Sequence, residues 1–420
     1  MSQREPSLVV EVVSQHGQET SFLWVLRDAA IFQPHYSLTD LTKLDSRVEA
    51  HLDGLRIAGE EGWELCRKEL DWKEPGGVFA AAVLAFESED EKRIAEVVTI
   101  GSAEASLARG LISALGWLTF AQAEPHIKQL LASPPWALQR VGIAASAIHR
   151  QDPGTALVSA ISSTDPLLKA RALRAVGELG LKTFLPELRK HLTDQDGACR
   201  LSAAWSAVLL SADSSALAIL MSVAESNLPY RERALRVAIR RMDLSSAAAW
   251  QRKLTQDGKL VRIAIVAAGA FGDPASIPWL IGQMNVPELA RIAGEAFTMI
   301  TGVDIAYQDL DRKQPEGFQA GPTENPEDEN VEMDPDDNLP WPDPALIAKW
   351  WNAHQGEFQK GARYLLGKPI TVDWLQQVLR IGRQRQRAAA ALELAMRQPG
   401  KPLFEVRAPG FRQKQILAGS

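Results

Sequence analysis

Three side chains in the last third of the chain have the spacing of calcium ligands. Asp334, Asp336 and Asn338 stand at the first three ligand positions of an EF-hand loop. The rest of that pattern fails, because Leu339 replaces the glycine of the sharp turn and Ala345 replaces the bidentate glutamate. The sequence therefore favours a solvated acidic loop over the alternative of a weak cation site, and we assign no metal.

The other residues that could do chemistry lack the partners they need. None of the seven histidines is followed by glutamate, so the H-E-x-x-H zinc motif and the repeat-type di-iron pattern both fail. Phosphate-binding G-x-x-x-x-G-K-[ST] loops, G-x-S-x-G elbows and dinucleotide fingerprints are also missing. A cysteine nucleophile would require an oriented histidine, and we predict instead that Cys66 and Cys199 are buried structural thiols. We expect no enzyme and no cofactor.

Charge is distributed unevenly along an otherwise ordinary globular composition. Of the 420 residues, 46% are hydrophobic and 23% are charged. Residues 304–343 hold 13 acidic and two basic side chains, a net charge of −11, and residues 344–420 hold 13 basic and four acidic ones, a net charge of +9. We expect these two segments to attract each other in a salt-dependent way. Two cysteines, no signal-peptide pattern and no membrane span favour a cytoplasmic location.

A repeat of about 30 residues dominates the middle of the chain. Each copy opens with a short turn such as DPLLKAR or DGKLVR, continues as an Ala/Leu/Val-rich helix, breaks, and adds a second amphipathic helix. One arginine recurs at the same register of seven copies: Arg109, Arg140, Arg171, Arg200, Arg233, Arg262 and Arg291. Such a period is typical of a solenoid whose neighbouring hairpins bury each other's apolar faces. The pattern resembles short HEAT-like repeats, and we predict an all-α solenoid of HEAT-like helical hairpins.

The recurring arginines have two interpretations. They could form a charged stripe for an anionic partner, or each could pair with a loop acid or carbonyl of an adjacent repeat. We favour a structural ladder, because a residue fixed in every repeat serves the stacking that all repeats share. A nucleic-acid partner is not expected, since residues 1–303 carry a net charge of −4 and phosphate binding requires a strongly basic face.

Four segments of different character follow one another. Residues 1–75 are predicted to be an N-terminal helical cap, and residues 76–303 the HEAT-like repeats. Residues 304–343 are predicted to be an acidic, partly disordered loop, because Pro, Gly and acidic residues cannot bury enough surface to offset the entropy of ordering. Residues 344–420 are predicted to be a basic helical segment.

Three tryptophans lie within eleven residues at the end of the acidic loop. They could hold the loop onto the end of the solenoid, or they could form a hot spot for a partner, where tryptophan is enriched. The candidate partner-binding residues are Trp341, Trp350, Trp351, Asp334, Asp336 and Asp337.

Several stretches resemble an uncharacterised bacterial HEAT-repeat family. They are FLWVLRDAAIFQPHYSLTDLTKLDSRVEAHLDGLRIAGEEGW, EAFTMITGVDI, DDNLPWPDPALIAKWW and RYLLGKPIT, and the resemblance covers essentially the full chain. Members of that family are often encoded in type VI secretion loci. The resemblance implies a cytoplasmic, non-enzymatic scaffold or adaptor with a type VI effector, spike or adaptor protein as its partner. It transfers no catalytic residue.

Two other classes of function remain open. An immunity protein would neutralise a secreted toxin in a tight one-to-one complex. A HEAT-like enzyme, of the DNA glycosylase or lyase type, would need a pocket with converging acids and aromatic side chains. For the scaffold we expect the partner to bind an extended, concave surface of the solenoid.

Overall fold

The computed structural model describes residues 10–321 and 333–419. In these ranges the chain is built from α-helices and one short antiparallel hairpin, so the predicted all-α solenoid is confirmed. The chain divides into two compact units, the first made of Met1–Ser206 with Gly400–Ser420 and the second of Ala207–Pro399. Within the described residues, every helix is too short or too polar to cross a lipid bilayer.

Helical hairpins follow three N-terminal helices, and shorter elements follow the hairpins. The N-terminal helices are α1 (Val10–Ala30), α2 (Leu38–Ala58) and α3 (Glu60–Glu69). The hairpin helices are α4 (Pro75–Ser88), α5 (Glu91–Ala103), α6 (Ala105–Trp117), α7 (Phe120–Ala132), α8 (Trp136–Ile148), α9 (Thr155–Ile161), α10 (Pro166–Glu178), α11 (Leu185–Lys190), α12 (Gly197–Leu210), α13 (Ser214–Ala224), α14 (Arg231–Arg241), α15 (Leu244–Thr255), α16 (Val261–Phe271), α17 (Ile277–Gln283) and α18 (Pro287–Thr301). The later elements are α19 (Pro344–His354), β1 (Tyr364–Leu365), β2 (Lys368–Pro369), α20 (Val372–Ile381), α21 (Gln384–Arg397) and α22 (Gly410–Ala418). Single turns of 3₁₀ helix occur at Leu70–Trp72, Lys182–Phe184, His191–Thr193, Gly258–Leu260, Pro274–Ser276 and Gln355–Glu357.

The recurring arginine marks every second helix of the hairpins. The seven arginines lie on α6, α8, α10, α12, α14, α16 and α18, which we call the register helices. In the first unit α8 packs against α6 and α10, and in the second unit α16 packs against α14 and α18. Small residues allow this close approach: a Cβ added to Gly269 of α16 would lie 2.9 Å from the Cα atom of Ala296 on α18. Within each unit, these register helices therefore form the packed core that stacking requires.

Polar side chains cap the starts of several helices. Ser37 and Asp40 form a reciprocal capping box at the start of α2. Asp165 accepts a hydrogen bond from the backbone N–H of Leu168 at the start of α10, and Pro166 occupies the first helical position. Asp343 caps α19 in the same way. Each of these caps depends only on neighbouring residues.

Residues after the repeats cover the C-terminal ends of register helices in the second unit. The backbone N–H of Tyr364 donates to the carbonyl of Gly272, just after α16, at 2.7 Å. The N–H groups of Leu366 and Gly367 donate to Met299 and Ile300 of α18 at 2.8 and 2.9 Å. The last carbonyls of a helix have no partner within it, so the β1–β2 hairpin supplies partners that α16 and α18 lack.

A second stretch, residues 401–412, does the same in the first unit. The N–H of Leu403 donates to the carbonyl of Glu178 at the end of α10 at 2.9 Å. The carbonyl of Leu403 in turn accepts from the guanidinium of Arg150, which also bonds to the last turn of α8. Arg412 donates to the carbonyl of Leu118 at the end of α6 at 2.5 Å. Cations at helix C-termini are stabilised by the helix dipole, so the basic segment is used on these ends.

Candidate functional site

Two of the predicted partner-binding carboxylates are ion-paired within the second unit. Arg262 of α16 donates from both terminal nitrogens to Asp336, each bond measuring 2.7 Å. These hydrogen bonds raise the pKa of Arg262. Arg291 of α18 pairs with Asp334, whose other oxygen accepts the backbone N–H of Asp336 at 2.9 Å. Asp336 is only 3% exposed, whereas Asp337 is exposed. The turn Asp334–Pro335–Asp336 is thus held on two successive repeats by bidentate and single ion pairs.

Aromatic rings hold one of these arginines in place. The guanidinium carbon of Arg291 lies 4.6 Å from the ring centroid of Trp341 and 5.4 Å from that of Phe318. The two rings themselves meet edge to face at 4.8 Å. A guanidinium stacked on rings loses few orientations when it pairs, which favours the geometry seen with Asp334. Trp341 therefore contacts a repeat arginine, in keeping with the interpretation that it holds the loop.

The other two tryptophans pack against residues of the same unit. Trp350 meets Phe297 of α18 edge to face at 5.6 Å and stacks on His354 at 4.2 Å. Trp351 is buried and lies 5.3 Å from the ring of Phe358. Their role in binding a partner stays a prediction.

A cavity of about 460 Å³ adjoins the ion pairs. Besides both arginines, its lining includes Pro287, Glu288 and Phe318. Two of the carboxylates that line it, those of Asp334 and Asp336, are already paired with arginines. Within the residues that the structure describes, no three His, Cys, Asp or Glu side chains are grouped so as to hold a metal ion. The expected partial disorder of residues 304–343 falls in part on residues 322–332, which lie outside the described residues.

The recurring arginines share a register but not a partner. Arg109 pairs with Asp28 of α1 at 2.6 Å, and Arg171 pairs with Glu178 of its own helix at 2.9 Å. Arg200 donates to two carbonyls of the preceding turn, those of Asp194 and Gln195, at 2.6 and 2.9 Å. In the remaining repeats Arg262 and Arg291 take the acids described above, Arg140 is half-buried and Arg233 is exposed. The ladder stays a prediction, because a common partner does not emerge from these contacts.

Glu178 is the centre of a buried charge cluster in the first unit. Its carboxylate pairs with Arg171 at 2.9 Å and with Arg174 at 3.0 Å, and Arg174 stacks on Trp205 with 3.6 Å between its guanidinium carbon and the ring centroid. Burial alone would raise the pKa of Glu178, but the neighbouring guanidinium groups, including that of Arg407, lower it to about 2. A repeat helix is thereby tied to the chain's last segment through charge as well as through the backbone.

Glu393 of α21 is the centre of another buried charge cluster, in the second unit. It pairs with Arg363, and its carboxylate lies 3.6 Å from the nitrogens of both Arg240 and Arg397. Arg363 also donates to the carbonyls of Phe271 and Arg240, at the ends of α16 and α14, at 2.7 and 3.2 Å. Neither cluster was predicted from the sequence, because each joins residues from distant parts of the chain and only Arg171 belongs to the repeat pattern.

Comparison with known proteins identifies the repeats. Residues 154–240, which run from the start of α9 to the last turn of α14, match the family described as HEAT repeats. This part of the chain is similar to HEAT repeats. No curated protein matches the chain. Its fold was also compared with a crystal structure described as an engineered protein, a Northeast Structural Genomics Consortium target. That structure shares 15% identity and covers 70% of this chain and 96% of its own, with a TM-score of 0.31. At this TM-score the likeness has no bearing on function.

Both cysteine thiols are buried, as predicted. Burial raises the pKa of Cys66 to about 12 and that of Cys199 to about 12. The Sγ atom of Cys199 donates to the carbonyl of Pro166 at 3.3 Å. Because the thiolate is the nucleophile, a thiol with so high a pKa is unreactive near neutral pH.

We expect the folded protein to resist iodoacetamide at pH 8, with neither cysteine carbamidomethylated over a period in which free glutathione reacts fully. Mass spectrometry of tryptic peptides measures the modification at each position. The same protein in guanidinium chloride serves as the control and should be labelled at both cysteines. Rapid labelling of either cysteine in the folded state would contradict the structural assignment.

Proposed function

We propose that this chain is a non-enzymatic scaffold that binds a protein partner. HEAT and related repeats build extended surfaces that suit protein recognition. In each unit taken by itself, we place the binding surface at the N-terminal ends of the register helices, because elements after the repeats cover several of their C-terminal ends.

One observation carries this choice of surface. Large apolar side chains are exposed near the starts of four of the seven register helices. In the first unit these are Trp136 at the start of α8 and Leu167 at the start of α10, which are 51% and 56% exposed. In the second unit Tyr230 and Val286 precede α14 and α18 and are 46% and 40% exposed. Single exposed apolar residues are common, but their occurrence near the start of four register helices supports an interaction surface.

The resemblance of several stretches to a bacterial HEAT-repeat family supports a more specific role. On that basis the partner is a type VI secretion effector, spike or loading adaptor, and the chain acts in the cytoplasm before export. In this proposal the scaffold holds the partner without changing it chemically. An immunity protein is the alternative, and it would instead protect cells from a toxin produced in the same cytoplasm.

Export in a deletion strain tests the proposal. We expect loss of this chain to abolish export of one effector while the secretion apparatus remains assembled and still exports others. Complementation with the Trp136→Ser, Leu167→Ser double variant should restore export poorly. The matched control is Val158→Ser, which removes an exposed apolar side chain from α9, and it should restore export fully. Unchanged export in the deletion strain would refute the adaptor role, and rescue of toxin-expressing cells would indicate immunity instead.

A further inference from the structure

The contact between the HEAT repeats and the turn at Asp334–Pro335–Asp336 has the form of peptide recognition. The internal hydrogen bond from the N–H of Asp336 to Asp334 aims both carboxylates at arginines of successive repeats. A third arginine, Arg385 of α21, donates to the backbone carbonyl of Pro335 at 3.4 Å and is held by Glu295 at 3.0 Å. Arginines therefore contact both carboxylates and one main-chain carbonyl of this short acidic turn.

Charge holds this turn more than apolar packing does. Met333, Pro335 and Asp337 are exposed, so Asp336 is the one buried residue among residues 333–338. The apolar anchors come afterwards, at Leu339, which is buried, and at Trp341, which contacts Arg291. Residues 333–338 can therefore leave the repeats while the chain beyond them stays packed. Ion pairs of this kind are replaceable by those of another acidic peptide.

The receiving surface is already shaped for such a ligand. Arg291 is oriented by the rings of Trp341 and Phe318, and Arg262 presents both terminal nitrogens to one carboxylate. The cavity of about 460 Å³ beside them, lined in part by Pro287 and Phe318, leaves room for residues that flank a bound turn. Oriented arginines suit bidentate carboxylate recognition.

We propose that Arg262, Arg291 and Arg385 form a recognition site for acidic peptides containing Asp-Pro-Asp, and that the chain's own residues 334–336 occupy it until a partner's acidic segment replaces them. This inference deepens the proposed function and rests on it, because it names the chemistry of the protein that the scaffold binds. A tethered occupant acts at a high effective concentration, so a partner must present a stronger or repeated acidic motif to displace it.

Binding of a synthetic peptide tests the site directly. The probe is fluorescein-labelled Glu-Met-Asp-Pro-Asp-Asp-Asn, the sequence of residues 332–338, and fluorescence anisotropy measures its binding to the full chain. We expect the double variant Asp334→Asn, Asp336→Asn to bind it at least about tenfold more tightly than the natural chain. The chain's own turn then lacks the two carboxylates with which it competes for the arginines. Asp334→Asn alone, which leaves the bidentate pair in place, should give a smaller gain. Added salt should weaken binding, since ionic attraction is screened.

Three controls separate recognition from general charge. Asp309→Asn with Asp337→Asn changes the net charge equally but leaves the turn paired, so peptide affinity should match that of the natural chain. Adding Arg262→Gln and Arg291→Gln to the Asp334→Asn, Asp336→Asn variant should abolish binding. The peptide with Asn-Pro-Asn in place of Asp-Pro-Asp should not bind to that double variant. Circular dichroism and thermal unfolding establish that each variant is folded.

The proposal is overturned if the folded Asp334→Asn, Asp336→Asn variant binds the peptide no better than the natural chain does. It is also overturned if that variant binds the Asn-Pro-Asn peptide as tightly as the Asp-Pro-Asp peptide. Its outcome is distinct from that of the export experiment. Peptide binding without an effect of deletion on export would leave the site standing and remove the adaptor role. Export that depends on the chain, with no peptide binding, would do the reverse.

Discussion

Replacing Glu393 with glutamine is expected to lower the free energy of unfolding of the second unit by about 3–5 kcal/mol. The carboxylate is 2% exposed and serves Arg363, Arg240 and Arg397 together. Glutamine keeps the shape but leaves three guanidinium groups facing one another without a neutralising charge. Breaking a buried pair in this way costs far more than removing a surface pair. Hydrogen–deuterium exchange of peptides from residues 207–399 measures the opening free energy of this unit.

The matched control for this variant is Glu357→Gln, the same chemical change at an exposed position of the same unit. It should alter the opening free energy by no more than about 0.5 kcal/mol. Protection in peptides from residues 10–206 reports on the first unit separately. Equal stability of the two variants would show that the Glu393 cluster contributes little and that α21 is held by apolar packing.

The second large effect is expected for Glu178→Gln in the first unit. In the folded protein the pKa of Glu178 falls from the ordinary 4.5 to about 2, because its arginine neighbours outweigh the effect of burial. Such a depressed pKa corresponds to about 3 kcal/mol of stability at neutral pH. This stabilisation is present above pH 4.5 and is lost as the pH falls towards 2, where the folded state also takes up the proton. The natural chain and the variant should therefore differ most near pH 7 and converge in acid.

Urea unfolding between pH 2.5 and pH 7 measures that convergence, with tryptophan fluorescence as the signal. Glu187→Gln is the control, since this glutamate of α11 pairs only at the surface with Lys190 and His191. It should change stability by less than about 1 kcal/mol. A difference between the natural chain and Glu178→Gln that is constant across this pH range would mean that the lost interaction is not the ionised carboxylate.

Sequence reasoning succeeded wherever the determinants of structure are local or periodic. The register from Arg109 to Arg291 located seven helices, because stacked hairpins repeat their spacing. Helix caps such as Asp165 and Asp343 are local in the same sense, because a side chain there bonds to backbone groups two or three residues away.

The contacts of the chain's last segment could not be predicted in this way. Arg150 and Leu403 are 253 residues apart, and neither belongs to a periodic pattern that both share. In the sequence, Arg363 and Arg412 cannot be distinguished from solvated basic residues. Only the structure reveals that each donates to carbonyls at helix ends. The β1–β2 hairpin was missed because its strands are two residues long, too short for an alternating pattern.

Asp334, Asp336 and Trp341 were named from the sequence as candidate partner-binding residues, and that role stays a prediction. Their contacts with the repeat arginines were not predicted. We expected the acidic segment to attract the basic segment, and Arg383 does pair with Asp304 at 2.7 Å. Yet Asp334 and Asp336 take arginines of the repeats, which lie near the beginnings of α16 and α18. Negative charge is favoured at helix beginnings and positive charge at helix ends, so the order of acid and base after the repeats agrees with the helix dipoles.

The attachment of residues 401–412 constrains how such a protein can change over evolutionary time. An open array of hairpins can gain or lose a hairpin by duplication or deletion, because every hairpin contacts only its neighbours. Here Leu403 meets α10, Arg412 meets the end of α6, and the N–H of Gly410 donates to Asp45 of α2. Inserting one hairpin between α6 and α10 would shift these contacts out of alignment together. We therefore expect the number of hairpins in this part of the chain to be fixed, and changes in sequence length to occur in the turns between helices.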